Sequence, residues 1–443
     1  MARVILSLAL PTMLEQLMQT AVQYIDTVMV GSLGTAATAA VGATTTVNWL
    51  IGSSIAALAV GFLSYIARAL GAADEERAHR AAAQAVTTVL IVGTLFTVLT
   101  LALSKKIPIW MNVQESLRHD ASVYFFILYS PMLFRTASII FGTVLRASGD
   151  TATPMKISIL VNVLNVMLNY LLIYPSRWLF NGTFYMPGAG MGVAGAALAS
   201  AVSVAVGGII ITIVLWRHPV VSPAGRKLQP DMQILRPCMR VAFPNMLQRF
   251  GTSLGYVAFA SMINSLGEIP TAAHTVANTV ESLFYIPGFG MQTAAATLAG
   301  NALGANDKSG MNRLSRIFIP IELILMLFSG AALFISAPLL ISMFTESSAV
   351  ISLGSTVLRM VALSEPFYGF SIIVEGFMQG VGKTREPFIF NIIGMWLIRI
   401  GCTYICINLL GMGLVSAWAC MITHNLFLFV IFLYYHLSGK WSP

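Results

Sequence analysis

Residues 9–26 read ALPTMLEQLMQTAVQYID, and 233 positions later residues 242–247 read AFPNML. That interval decides the fold, because it recurs. SLG at 32–34 meets SLG at 265–267, TAA at 38–40 meets TAA at 271–273, and ALGA at 69–72 meets ALGA at 302–305. Asp74 meets Asp307, SII at 138–140 meets SII at 371–373, and Pro154 meets Pro387. One register held without a gap over about 145 residues is an internal repeat, not chance. The offset changes once, to 221, where GMGVAGA at 190–196 meets GMGLVSA at 411–417; the first copy thus has twelve extra residues, in the loop containing SRWLFNGTFYMPG.

Both copies are mostly oil. Of 443 residues 57% are hydrophobic and 9% charged, where soluble proteins carry roughly 25% charged residues. Apolar runs punctuated by Gly, Pro and charge lie at 4–30, 38–67, 82–104, 121–145, 154–175, 191–216, 238–265, 271–300, 314–341, 350–379, 387–410 and 413–436. Each is long enough as a helix to cross a bilayer. The expected fold is an all-α membrane protein of twelve transmembrane helices in two six-helix pseudo-symmetric lobes. Residues 1–217 form the N-terminal lobe, 218–236 a cytoplasmic linker centred on SPAGRKLQPD, and 237–443 the C-terminal lobe. The first segment lacks the pattern of a cleaved signal and reads as a retained helix.

The net charge of +8 is explained by topology. The even-numbered connections carry fifteen Lys and Arg against four in the odd-numbered ones, so the even connections and both termini are expected in the cytoplasm. No nucleic-acid partner is implied. Cys238, Cys402, Cys406 and Cys420 lie in or beside apolar segments without ligand spacing and read as buried small residues. No Walker loop, HExxH or GxSxG occurs, so neither an enzyme nor an ATP-driven pump is expected. NGT at 181–183 matches a glycosylation sequon in an outer loop, relevant only in a eukaryotic secretory membrane.

An even number of spans per copy makes the repeats parallel, an architecture of secondary transporters. Within it the polar residues matter most. Glu15 and Asp26 are eleven positions apart, three helical turns, and share one stripe of the first span. Intramembrane carboxylates are costly and mark pathways or partners. Asp26 corresponds to Phe259, so its task belongs to the first half only. Asn162, Asn165 and Asn169 lie in the fifth span; Asn165 and Asn169 share a face, and their counterparts are Ile398 and Cys402. They are either interhelical hydrogen-bonding groups or, with Asp26, oxygen ligands for a hard monovalent cation. A proton held on Asp26 alone would serve as well, so Na+ and H+ both stay open. Glu281, Glu365 and Glu375 in the second half stand opposite Asn48, Met132 and Gly142, and Glu322, Arg249, Arg359 and Arg399 lie in or near spans. For these, structural ion pairing and a cation relay or recognition of a cationic substrate are the alternatives. Glu15 is placed nearer the cytoplasmic mouth, as gate or structure. Pro11 and Pro244 match and permit kinks, whereas IPGFG at 286–290 has no counterpart and marks a break in span eight.

These residues resemble the multidrug and toxic compound extrusion (MATE) transporters. The features are Pro11 and Asp26 followed by TVMVGSLG, the two ALGA segments, RASGDTATP and GVGKTREP after spans four and ten, and ESLFYIPGFGMQTAAATLAGNALGA in span eight. The resemblance covers essentially the whole chain. It implies a Na+- or H+-coupled antiporter in the cell (inner) membrane, exporting amphipathic, often cationic organic compounds by rocking of two lobes around a V-shaped cavity. It also implies a first-lobe cation site on Asp26, Asn165, Asn169 and Ser200. For Na+, the metal ligands would include Asp26, Asn165 and Asn169. Some relatives carry an acid where this chain has Asn169, and the family's carboxylates of spans seven and ten fall on Thr252 and Tyr368 here. The alternative within the wider group is a flippase for lipid-linked saccharides or other lipid precursors. The expected partners are small organic molecules and the lipid bilayer, with no cofactor beyond the coupling ion and the chain acting as a monomer.

Overall fold

The computed structural model describes residues 2–110, 113–179 and 184–442, so the NGT sequon lies outside the described residues. Among them twelve helical traverses follow one another. The first six are Ala2–Gly31, Thr35–Gly71, Glu75–Leu103, the bent pair Arg118–Tyr129 and Met132–Ala147, Ala152–Leu172 and Gly192–Arg217. The second six are Met232–Asn264, the pair Glu268–Phe284 and Ile286–Gly304, Lys308–Ser342, the bent pair Ser348–Ala362 and Glu365–Gly380, the segment from Arg385 to Leu409, and Leu414–Leu437. The extra outer loop of the first half holds a small antiparallel ribbon, Pro175–Leu179 on Phe184–Ala189.

Seven single helices and two bent pairs among the described residues are long and apolar enough to cross a membrane. Traverses one, seven and eight fall outside that group. Residues such as Glu15, Gln19 and Asp26 in the first and Arg240, Gln248 and Arg249 in the seventh dilute the hydropathy of those long helices, and the eighth is divided into helices of 17 and 19 residues. The first helix runs unbroken through Pro11, and the seventh through Pro237 and Pro244. The eighth is interrupted at Tyr285, beside IPGFG.

The backbone keeps the 233-residue register. Span four bends by 47° at Ser130–Pro131 and span ten by 52° at Leu363–Ser364, the matching residues. After each ALGA, the left-handed residues Ala73 (φ 56°) and Asn306 (φ 53°) close the helix. There Asp74 N–H reaches Ala69 O at 3.0 Å and Asp307 N–H reaches Ala302 O at 2.9 Å, the wrap that satisfies orphan carbonyls at a helix C-terminus. Asp307 then caps the next helix, its Oδ1 accepting from Gly310 N–H at 2.7 Å. That bond and one from Ser309 hold the Asp307 carboxyl below its ordinary range.

Two compact units form. One comprises Met1–Met13, Leu63–Asp74 and Pro237–Pro443; the other comprises Leu14–Phe62 and Glu75–Arg236. The first has two apolar cores, around Met291, Phe318 and Phe377 and around Phe259, Leu333 and Trp418. In the second unit residues 218–236 are fastened to the third helix. Thr87 Oγ1 donates to Leu228 O at 2.7 Å, Gln84 Nε2 to Gln229 O at 2.8 Å, and Asp231 N to Gln84 Oε1 at 2.9 Å. Arg226 pairs with Glu76, and Arg80 with Asp231 at 2.5 Å. The Arg80 guanidinium, with the Gln233 N–H, holds the Asp231 carboxyl below its usual range. The segment expected as a cytoplasmic linker is held along the third helix within one unit.

Spans eight and ten touch backbone to backbone. A Cβ on Gly380 would come 2.1 Å from Ala296 O, and Ser64 Oγ donates to Gly380 O at 2.9 Å. Gly380→Ala is therefore expected to destabilise the protein by about 1–3 kcal/mol or more, the usual cost of overpacking. Gly413, whose added Cβ would meet nothing, is the control. Thermal unfolding in detergent checks this, and equal midpoints for Gly380→Ala and Gly413→Ala would refute the close approach.

Candidate functional site

The first, fifth and sixth spans each contribute to one polar chain inside the unit of Leu14–Phe62 and Glu75–Arg236. Asn165 and Asn169 stand one turn apart on the regular helix Ala152–Leu172, and both are buried. Asn169 Nδ2 donates to Asp26 Oδ1 at 2.5 Å and to Asn165 Oδ1 at 3.1 Å. Asn165 Nδ2 donates to Ser200 Oγ at 3.1 Å. All four residues named from the sequence are thereby brought into one continuous network. Asn169 Oδ1 is buried and has no hydrogen-bond partner. An acceptor left unpartnered in a buried site is costly, and here it adjoins a carboxylate.

The chemistry of this donor set suits a hard monovalent cation. It offers one negative charge with amide and hydroxyl oxygens, and among the described residues no group of three or more His, Cys, Asp or Glu could hold a metal ion. A divalent ion would be left under-neutralised. Asp26 could equally hold a proton. Tyr124 of span four is buried within electrostatic reach of Asp26 and of Arg135. Tyr129 donates to Asn48 Oδ1 at 3.3 Å. The sequence reading passes over Tyr124 and Arg135. For Arg135 the signal is a charge inside span 121–145; for Tyr124, within VYFFILY, no local signal exists.

The remaining candidates separate into groups. Glu15 is held by Arg146, whose Nη2 reaches Oε1 at 2.7 Å and Oε2 at 2.6 Å, while Gln19 Nε2 donates to Oε1 at 3.4 Å. In the second half the positions matching Glu15 and Arg146 are Gln248 and Gln379, and both donate to Glu375 Oε1, at 2.9 and 3.1 Å. Asn391, the counterpart of Ser158, donates to Glu375 Oε2 at 3.4 Å. Glu375 is thus solvated by amides, with Arg249 in electrostatic reach.

Among the described residues no ion pair of Glu365, one of the alternatives considered for it, is present. Glu365 and Glu322 are fully buried, and none of their four carboxyl oxygens has a hydrogen-bond partner. Glu281 accepts from Tyr285 Oη, and Tyr285 packs its ring against Tyr368 at 4.8 Å. Thr252 returns its hydroxyl to Gln248 O at 2.9 Å. Arg399 is buried against aromatic rings. The cysteines also differ from expectation, since Cys402 and Cys406 are only half-buried; Cys406 Sγ lies 3.8 Å from Cys420 Sγ.

Comparison with known proteins follows the same outline. The sequence model of the MatE family matches residues 11–171 and 244–405, once in each half. The chain is 29% identical over 438 residues to a probable multidrug resistance protein NorM of Thermotoga maritima, covering 99% of this chain and 92% of that one. It is 26% identical over 403 residues to the protein of the same name from Chromobacterium violaceum, covering 90% and 85%. Among solved structures, an outward-facing multidrug resistance MATE family transporter of the MOP superfamily superposes with a TM-score of 0.90 at 25% identity, covering 100% of this chain and 97% of that one. A MOP superfamily transporter from Pyrococcus furiosus, described as having a binding pocket of reverse polarity, gives the same TM-score, identity and coverage.

Proposed function

Because the chain belongs to the MATE family of multi-pass membrane transporters, we propose that it is a cation-coupled antiporter that exports amphipathic, often cationic organic compounds, with Asp26 as the coupling residue. The observation carrying this reading is the network Asp26–Asn169–Asn165–Ser200 with its unpartnered Asn169 oxygen. The names of the relatives, multidrug resistance proteins, support the substrate class.

In this reading residues 1–217 and 237–443 act as the two lobes of an alternating-access cycle. An inward-moving Na+ or H+ neutralises Asp26, and the network rearranges around it. When Na+ is the ion, Asp26 and the side-chain oxygens of Asn165, Asn169 and Ser200 would hold it. Loading shifts the equilibrium between two states only by the difference in its affinity for them. The amides can supply that difference, because Asn169 Nδ2 donates to the same carboxylate that the cation would neutralise. The chain works as a monomer in the cell membrane with both termini in the cytoplasm, the orientation that places its basic connections inside.

The test is efflux of a fluorescent organic cation from proteoliposomes, with a Na+ gradient and a pH gradient imposed separately. Efflux driven by one gradient names the ion; efflux driven by neither refutes the antiporter. Asn169→Leu, which removes the amide next to Asp26, is expected to raise the concentration of coupling ion needed for half-maximal efflux by about tenfold or more, as lost partners of ion ligands do. An unchanged ion dependence would remove Asn169 from the site.

A further inference from the structure

The repeat allows the ion site of the first half to be read in the second. Carried through their registers, Asp26, Asn165, Asn169 and Ser200 become Phe259, Ile398, Cys402 and Met421. These four side chains cannot ligate a hard cation. A positive charge nevertheless stands among them. The guanidinium carbon of Arg399 lies 4.3 Å from the centre of the Phe259 ring and 4.9 Å from that of Tyr256. Its Nη2 lies 2.7 Å from Met421 Sδ. The group therefore bridges the counterparts of Asp26 and Ser200, and the face of an aromatic ring attracts a cation where a carboxylate is missing.

The backbone of span eleven differs here from that of span five. Its own counterpart is Val166, on the regular helix of span five. Span eleven instead has π-type hydrogen bonding over Gly394–Gly401, and a π-turn takes up an extra residue. A carboxylate lies in the same unit. Arg399 is 3% exposed, and Glu281, on span eight, is within its electrostatic reach. Each half thus has a carboxylate and a place for a cation. In the second the cation is covalently attached.

We infer that Arg399 is a tethered cation filling the second half's counterpart of the ion site, so that coupling ions bind in the first half alone. This rests on the role given to Asp26 above. It assigns the second half a fixed electrostatic state through the cycle and limits coupling to the Asp26 site.

The experiment counts cations bound by the full-length purified protein, using radioactive Na+ at equilibrium and, in parallel, protons taken up on acidification. His274 and His424 also lie within electrostatic reach of Arg399, so each count is repeated with Glu281→Gln to separate the carboxylate from the imidazoles. Wild type is expected to lose its bound cation with Asp26→Asn. Arg399→Met should gain one bound proton, keep it when combined with Asp26→Asn, and lose it when combined with Glu281→Gln. Arg399→Lys should bind as wild type does. A folded Arg399→Met protein that binds no more than wild type overturns the assignment, as does Asp26→Asn in the wild-type background retaining half the bound cation. Should Arg399→Met not fold, Arg399→Gln carries the same expectation. If wild type and Asp26→Asn bind alike, it is the reading of Asp26 that fails, whatever Arg399→Met does.

Discussion

Asp26→Asn is expected to abolish gradient-driven efflux while leaving the protein expressed and folded. The substitution keeps the shape of the side chain, and its carbonyl oxygen can still accept from Asn169 Nδ2, the bond now made by Asp26 Oδ1. Only the charge is lost. Two unit charges about 4 Å apart at an effective dielectric constant near 20 interact by about 4 kcal/mol, and losing that much weakens cation binding by roughly a thousandfold. For a proton the loss is complete, because an amide does not take one at physiological pH. Efflux from proteoliposomes under the effective gradient should fall to the rate seen without it. Gradient-driven efflux retained by Asp26→Asn would exclude this carboxylate from coupling.

The second large effect concerns stability. Glu15 and Arg146 form a two-pronged pair with side chains only 8% and 16% exposed. Breaking a buried pair by removing one partner leaves a charge without compensation and typically costs about 3–5 kcal/mol. Arg146→Gln or Glu15→Gln alone should therefore lower the thermal midpoint clearly. The double substitution should recover most of the loss, because removing both charges leaves nothing uncompensated. The second half already has this arrangement, with Gln248 and Gln379 at the matching positions. There the charge belongs to Glu375, which replaces Gly142 and receives both amides. A double-mutant cycle read by thermal unfolding in detergent decides. Single substitutions without effect would mean that water compensates the pair, and a double no better than the singles would mean that the glutamines do not fit.

The polar network around Asp26 was legible because bilayers make polar side chains conspicuous. Asp26 and the asparagines of ILVNVLNVMLNY interrupt segments that are otherwise apolar, and the repeat shows that the second half lacks them. Glu365 was legible as a candidate but not in its environment. Its separation from every possible Arg along the chain says nothing about distance in space, and the structure leaves its oxygens without partners. Arg399 shows the same limit more sharply. The gapless register pairs it with Val166, whereas the structure sets its guanidinium over the Phe259 ring, in a stretch of π-type hydrogen bonding.

By itself the sequence determined the repeat, its 233-residue register, the segments long enough to span and which of them carry charge. Those follow from composition along the chain, because lipid sorts residues by polarity and a duplicated sequence keeps its spacing. Tertiary structure alone decided which polar groups meet. It also fastened residues 218–236 to the third helix, bent spans four and ten at matching residues and set Arg399 over the Phe259 ring. Those depend on helix rotation and packing between segments far apart in sequence. A helix surrounded by apolar surroundings on every side leaves no periodic pattern from which its rotation could be read.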